Sequence, residues 1–210
     1  MPGEQEPLLE FREVMRRLRA ECAWKRAQTH RSLARYLLEE TYEAIEAMDT
    51  GDPVHLREEL GDVLLQVYFH AAIAEEAGEF TLDDVAADVI AKMRRRNPHV
   101  FAPGAGTATG DPLDPAGINE VWEAIKARDK RRTSVLDGIP PELPALLYAD
   151  KVLDRLDREG RHGADQVAEP EPAADRPEEL GDRLLALVAQ ARRAGVDPEQ
   201  ALRDAVRRLV

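Results

Sequence analysis

The sequence predicts an all-α fold, built as an antiparallel helical bundle. Apolar residues recur at the three- and four-residue spacing of helices, and start and stop signals separate these stretches. Few segments favour strand, and 33% of the residues are charged.

In chain order, Leu8, Phe11, Val14 and Leu18 mark a first helix. A break follows over 22–29, then a second helix over about 32–48. Asp52-Pro53 reads as an N-cap followed by proline at the first helical position. The helix it opens reaches about Glu76 and ends at Gly78. Thr81-x-x-Asp84 resembles a capping box and opens a helix to about Arg96. Residues 101–115 are rich in Gly, Pro and Thr and read as a loop. A helix over about 116–130 follows, and Pro140, Pro141 and Pro144 precede another that runs to about Glu159. Residues 160–177 read as a linker or disordered segment from their Ala, Asp, Glu and Pro content. Helices over about 177–194 and 198–209 close the chain.

This layout gives a main helical unit over 1–135, a connecting helix over 136–159, a linker over 160–177 and a small unit over 178–210. The small unit looks like a reduced copy of part of the first. Glu58-Glu59-Leu60-Gly61-Asp62-Val63-Leu64-Leu65 recurs as Glu178-Glu179-Leu180-Gly181-Asp182-Arg183-Leu184-Leu185.

The formal net charge is −12, which repels nucleic acid and argues against a genomic-DNA partner. A single small polyanion stays possible, because a bound metal inverts the local field. The lone Cys22 forms no intrachain disulfide, residues 1–10 carry no signal pattern and no apolar run is long enough to span a membrane. A cytoplasmic protein is expected.

The chemistry concentrates in Glu39-Glu40-Thr41-Tyr42-Glu43 and Glu58-Glu59-Leu60-Gly61-Asp62. Acids three apart share one helix face, and the short turn between the two helices makes them antiparallel neighbours. Most helical glutamates form a solvated face. A helical wheel argues otherwise here. Leu33, Leu37, Ala44, Ala47 and Met48 define the core side of the first helix, with Glu40 inside that arc and Glu43 at its edge. Glu46 and Arg35 fall opposite, and Glu39 lies nearer the outer face. On the second helix Leu56, Leu60, Val63, Leu64 and Val67 form one apolar face, and Leu65, Phe69 and Ala72 another. Glu59 and Asp62 share a narrow polar stripe between them with Gln66 and His70. Inward carboxylates without a neighbouring Lys or Arg are either protonated or hold cations. All-oxygen ligands favour Mg²⁺, with Mn²⁺ as a substitute. A di-iron bundle would need Glu-x-x-His on two helices, which neither segment has. The two apolar faces of the second helix also predict a homodimer, since one small domain cannot cover both.

At these residues the sequence resembles the MazG-type nucleoside triphosphate pyrophosphohydrolases. Their E-E-x-x-E, spacer, E-x-x-D signature reads here as Glu39, Glu40, Glu43, then Glu59 and Asp62. The flanks are similar too: Trp24 through Gln28-Thr29-His30-Arg31-Ser32-Leu33, the basic segment from Lys92 to Phe101, Trp122-Glu123-x-Ile-Lys126 and Ser134 to Pro140. Lys25 departs from the pattern, standing where an aspartate usually follows the tryptophan. Longer relatives carry two complete units, whereas the second unit here keeps Glu179 and Asp182 without an E-E-x-x-E before them.

The resemblance implies an all-α fold that dimerises through helical bundles, and Mg²⁺-dependent attack by water on the α-phosphate of a nucleoside triphosphate. Glu40, Glu43, Glu59 and Asp62 are then the metal ligands, and Glu39 the acceptor of the water's proton. Lys92, Arg95 and Arg96 resemble the family's phosphate-contacting segment. Trp122 stacks on the base and Lys126 contacts phosphate. The alternative is a non-catalytic helical interaction or regulatory module that keeps the fold.

Overall fold

The structure, a computed structural model, describes residues 6–102, 114–130, 133–161 and 177–208. The expected loop over 101–115 and linker over 160–177 fall almost wholly outside the described residues. The fold is all-α, and no strand occurs among the described residues. The chain divides into two compact units, Met1–Ile118 and Asn119–Val210. The division falls within a helix, so residues 119–135 group with the second unit.

The first unit contains α1 (Pro7–Glu21), α2 (Ala23–Arg26), α3 (His30–Thr50), α4 (Pro53–Ala77), α5 (Leu82–Arg96) and α6 (Pro98–Phe101). Its centre is the α3–α4 hairpin. Gly51 closes α3 at φ 71°, a left-handed conformation that costs glycine little. Asp52 then opens α4, its carboxylate accepting from the Val54 and His55 backbone N–H groups, with Pro53 at the first position. Gly78, at φ 69°, ends α4, and the Thr81–Asp84 capping box starts α5.

The core of this unit gathers Met15, Leu33, Tyr68 and Phe69, ringed by Phe11, Leu18, Tyr36, Leu64 and Leu65. Full burial of a side chain such as Leu33 contributes about 1.5–3 kcal/mol relative to exposure. Phe11 stacks on Tyr68 with centroids 4.7 Å apart, and the Tyr68 hydroxyl donates to the Leu8 carbonyl at 3.0 Å. Three arginines on α1 tie it down: Arg12 to Asp83, Arg16 to Glu75 and Arg19 to Glu76.

Arg19 explains a difference from expectation. The segment over 22–29 is not an open break. It contains the single turn α2, and α3 starts earlier than residue 32, capped by a Thr29–Ser32 box. The buried Arg19 guanidinium donates to the carbonyls of Lys25, Arg26 and Gln28 as well as to Glu76. Those carbonyls are thereby satisfied without extending either flanking helix. Lys25 places its ammonium 5.2 Å from the Phe69 ring centroid and 5.6 Å from that of Trp24. Two short helices, α2 and α6, carry too few residues to show a period in sequence.

The apolar wheel positions split. Leu33, Ala44 and Ala47 are buried, whereas Leu37, Met48, Leu60 and Val67 remain exposed in the single chain. Glu46 and Arg35 are exposed on the outer face.

In the second unit, α8 (Ala145–Arg158), α9 (Pro177–Arg193) and α10 (Pro198–Arg207) follow α7 (Pro115–Lys130), which starts in the first. Leu153, Val188 and Ala189 form the core. Arg192 on α9 reaches three acids of α8: Asp150 at 3.3 Å, Asp154 at 2.7 Å and Asp157 at 2.8 Å. Arg155 donates to the carbonyls of Val135 and Asp137, fixing the turn before α8.

Candidate active site

Antiparallel pairing of α3 and α4 puts the second half of α3 beside the first half of α4. Glu40 and Glu43 come from the one, Glu59 from the other. Carboxylate oxygens of these three residues lie within 4.8 Å of one another. Glu40 and Glu59 are half-buried and Glu43 is exposed, so the group opens outward from the hairpin.

The electrostatics of Glu40 describe this place. Burial pushes its carboxyl above the usual carboxylate range, and the charge of Asp62 and the neighbouring Glu43 push the same way. The nearby Gln66 amide acts the other way. Asp62 is half-buried and lies outside the 4.8 Å grouping, though its charge is felt at Glu40. Glu39 is exposed and also outside it. Among the described residues, no Lys or Arg forms an ion pair with Glu40, Glu43, Glu59 or Asp62 in which both charges are permanent. Their near neighbour is His55, whose Nε2 lies 3.1 Å from Glu59 Oε1.

A hard divalent cation fits this donor set. Three converging carboxylates offer oxygen ligands only, and their mutual repulsion is what a cation relieves. The polar stripe on α4 continues past them. Gln66 is 4% exposed, and its Oε1 has no hydrogen-bond partner among the described residues. His70 Nδ1 lies 2.7 Å from His30 Nδ1, and the two ring planes differ by only 2°. The 5.0 Å centroid separation is accounted for by that contact plus two ring radii, so the imidazoles meet edge to edge in one plane. One Nδ1 must carry the proton and the other the lone pair. The interplay of His30 with His70 is not visible in sequence, where the two stand forty residues apart.

The basic residues fall elsewhere. Lys92, Arg95 and Arg96 occupy the last turns of α5, which packs on α4. Lys92 and Arg96 are half-buried and Arg95 is exposed. Trp122 and Lys126 lie on the part of α7 that belongs to the second unit, where both are half-buried and Lys126 pairs with Glu123 at 2.7 Å.

The reduced copy does not rebuild the acidic group. Its upstream acids, Asp150, Asp154 and Asp157, are turned to Arg192, whose guanidinium they hold well above its ordinary range. Asp182 is exposed, and among the described residues Glu179 and Asp182 join no carboxylate cluster.

Comparison with known proteins agrees with this geometry. Residues 28–101 match the MazG nucleotide pyrophosphohydrolase domain, a span holding both halves of the acidic group and the basic end of α5. The nucleoside triphosphate pyrophosphohydrolase/pyrophosphatase MazG of Thermotoga maritima is 40% identical over 94% of this chain and 80% of its own length. The nucleoside triphosphate pyrophosphohydrolase of Escherichia coli K12 is 37% identical over 91% of this chain and 80% of its own. An uncharacterized 26.1 kDa protein of Streptomyces cacaoi is 41% identical over 98% of this chain and 79% of its own length. With identity at this level along most of both chains, and the acidic residues in register on an antiparallel hairpin, the protein belongs to the MazG family of nucleotide pyrophosphohydrolases.

Proposed function

We propose that this protein is a Mg²⁺-dependent nucleoside triphosphate pyrophosphohydrolase of the cytoplasm, cleaving a nucleoside triphosphate with water to the monophosphate and pyrophosphate. The observation that carries the reading is the convergence of Glu40, Glu43 and Glu59 within 4.8 Å, with Asp62 felt at the same point. These four residues would hold the ion, and Mn²⁺ has the chemistry to replace it. Bound there, a divalent cation offsets charge on the phosphate oxygens and lowers the pKa of a bound water. Glu39, exposed one residue before Glu40, accepts the proton of the attacking water. The water oxygen bonds to the α-phosphorus, the bond from that phosphorus to the bridging oxygen breaks, and pyrophosphate leaves with the electron pair. Lys92, Arg95 and Arg96 meet the remaining phosphate charge. Trp122 stacks on the base, and Lys126 turns from Glu123 to phosphate.

We read the active form as a homodimer. Leu60 and Val67, 47% and 39% exposed on α4, support this, as does the exposed Leu37 on α3. Among the described residues no helix is long and apolar enough to cross a membrane. Residues 1–135 are then the catalytic portion and 178–210 a reduced unit without its own chemistry, house-cleaning of nucleotide pools being the expected role.

The test is to incubate the protein with each common ribo- and deoxyribonucleoside triphosphate and Mg²⁺, and to measure both products. Equal amounts of monophosphate and pyrophosphate are expected, and none after chelation of the metal. Nucleotide binding without pyrophosphate release would mark a binding module instead.

A further inference from the structure

A triphosphate whose α-phosphate meets the acids must send its sugar and base one way or the other along the α3–α4 hairpin. Toward the turn, α3 adds the exposed Glu46 and α4 opens on Asp52. Negative charge there opposes a polyanion. Toward the start of α3 the charge changes sign and aromatic rings appear. Tyr36 lies one helical turn before Glu40 and two before Glu43, so the three share a face of α3. The Trp24 ring meets Tyr36 edge to face, with centroids 6.2 Å apart and planes at 75°.

Trp24 belongs to the single turn α2 and is 52% exposed. Its place is nevertheless fixed. Arg19 donates to the carbonyls of Lys25, Arg26 and Gln28, and the Gln28 side-chain amide donates to the Trp24 carbonyl at 3.1 Å. An indole held on an ordered turn with half its surface in water is a ready stacking face. One helical turn plus the ring contact puts it on the order of 10 Å from Glu40. A cation, the α-phosphate and a sugar fill that interval.

Two cations lie on these rings. Lys25 Nζ is 5.6 Å from the Trp24 centroid, and the Arg35 guanidinium carbon is 4.9 Å from that of Tyr36. Among the described residues neither side chain pairs with a carboxylate. In a chain of formal net charge −12 they make this end of the hairpin locally favourable to a polyanion.

We infer that Trp24, braced by Tyr36, is the surface on which the nucleobase of the substrate stacks, with Lys25 and Arg35 drawing the nucleotide to that end of the hairpin. The inference rests on the proposed reading of Glu40, Glu43 and Glu59 as the metal site for a triphosphate, and it leaves the role proposed for Trp122 as it stands. Stacking on an indole tolerates any base, because every base has a π face. The residue therefore contributes affinity for nucleosides as a class.

The test uses the full chain with Mg²⁺ and two probes: the α,β-methylene analogues of the common nucleoside triphosphates, which resist cleavage at the scissile bridge, and inorganic tripolyphosphate, which has no base. Calorimetry gives the affinities of wild type, Trp24→Ala and Trp24→Phe. Trp24→Ala should bind the nucleotide analogues at least about tenfold more weakly, as loss of a base–aromatic stack does, and tripolyphosphate within twofold of wild type. Trp24→Phe, which keeps a stacking face, should recover most of the nucleotide affinity. The chain has two tryptophans, so Trp122→Phe leaves Trp24 as the sole indole emitter, and saturating nucleotide should quench it while tripolyphosphate does not. Nucleotide affinity within twofold of wild type in Trp24→Ala would overturn the inference. So would an unchanged Trp24 emission in a Trp122→Phe protein that binds nucleotide. Equal losses for nucleotide and tripolyphosphate in Trp24→Ala would make the residue structural and also overturn it. Each of these leaves the metal and triphosphate reading standing. A wild type that binds neither probe would overturn both. Should Trp122→Phe bind no nucleotide, the calorimetry on the Trp24 variants decides.

Discussion

Individual acids carry different burdens in this site. Glu40 is the one most opposed by its surroundings, since burial, Asp62 and Glu43 all disfavour its charge. On the proposed reading a cation reverses that balance, so the carboxylate charge matters and not merely its shape. Glu40→Gln, Glu43→Gln, Glu59→Gln and Asp62→Asn preserve shape while removing charge. Each should lower pyrophosphate release at least a hundredfold, a barrier increase of about 2.7 kcal/mol, with the helical circular-dichroism spectrum unchanged. Near-normal rates in any two of them would end the assignment. The exposed Glu39 is separable from the ligands: Glu39→Gln should reduce the rate constant of a single turnover while leaving Mn²⁺ affinity within about threefold, a difference below roughly 1 kcal/mol. Equal loss of metal binding would place Glu39 among the ligands instead.

Helix by helix, α3 and α4 are joined twice, at the acidic group and again where His30 meets His70. Burial is the main cause that pushes the His70 imidazole below its ordinary value of 6.5, with the nearby His30 acting in the same direction. In the unfolded chain this histidine takes up a proton as pH falls through 6.5, while the folded chain resists until a lower pH. Its contribution to stability is therefore whole above 6.5 and is lost as pH falls from there through the folded value. The His30–His70 contact also fails once both rings are charged, since neither then has a lone pair to accept with. The unfolding midpoint of the protein should decline between pH 7 and pH 5.5, and His70→Gln should flatten that decline. An equally steep decline in the variant would assign it to other groups. The α1 ion pairs act at lower pH. Hydrogen bonds from Arg16 and Arg19 hold Glu75 and Glu76 below their ordinary 4.5, so their support is present above that value and lost as pH falls beneath it.

Across the whole chain, the two units have spent similar acids differently. In the first, carboxylates from two helices converge, and among the described residues no arginine pairs with them. In the second, one arginine draws three aspartates of α8 to itself, which satisfies the charge without any ion. Glu179→Ala combined with Asp182→Ala should accordingly leave turnover within about threefold, below roughly 1 kcal/mol in the barrier. A hundredfold loss with folding intact would give the second unit a part in the chemistry. The exposed apolar positions of α4 bear on assembly. Burying Leu60 and Val67 against a second copy would remove apolar surface from water at roughly 25 cal/mol per Å². Light scattering at micromolar concentration should report twice the chain mass, and a monomer there would leave these side chains without the partner proposed for them.

The sequence by itself determined the longer helices and where α4 starts and stops and α5 starts. Periodicity, Asp52-Pro53, Gly78 and the Thr81–Asp84 box are local signals that act within a few residues of chain. It also determined that Glu40 and Glu43 share a face on one helix and Glu59 and Asp62 on the next, because i,i+3 spacing places side chains together whatever surrounds them. Other features were decided only by tertiary packing. Arg19 shapes α2 and the start of α3 through carbonyls and Glu76, a partner 57 residues away. His30 finds His70 across forty residues, and Arg192 finds Asp150 across 42. Whether Leu33 or Leu37 is buried depends on which neighbour arrives, not on the wheel they share. Long-range partners have no signature in local spacing. A guanidinium reaches whichever carboxylates and carbonyls the packed helices bring within hydrogen-bond distance, and only the folded chain fixes which those are.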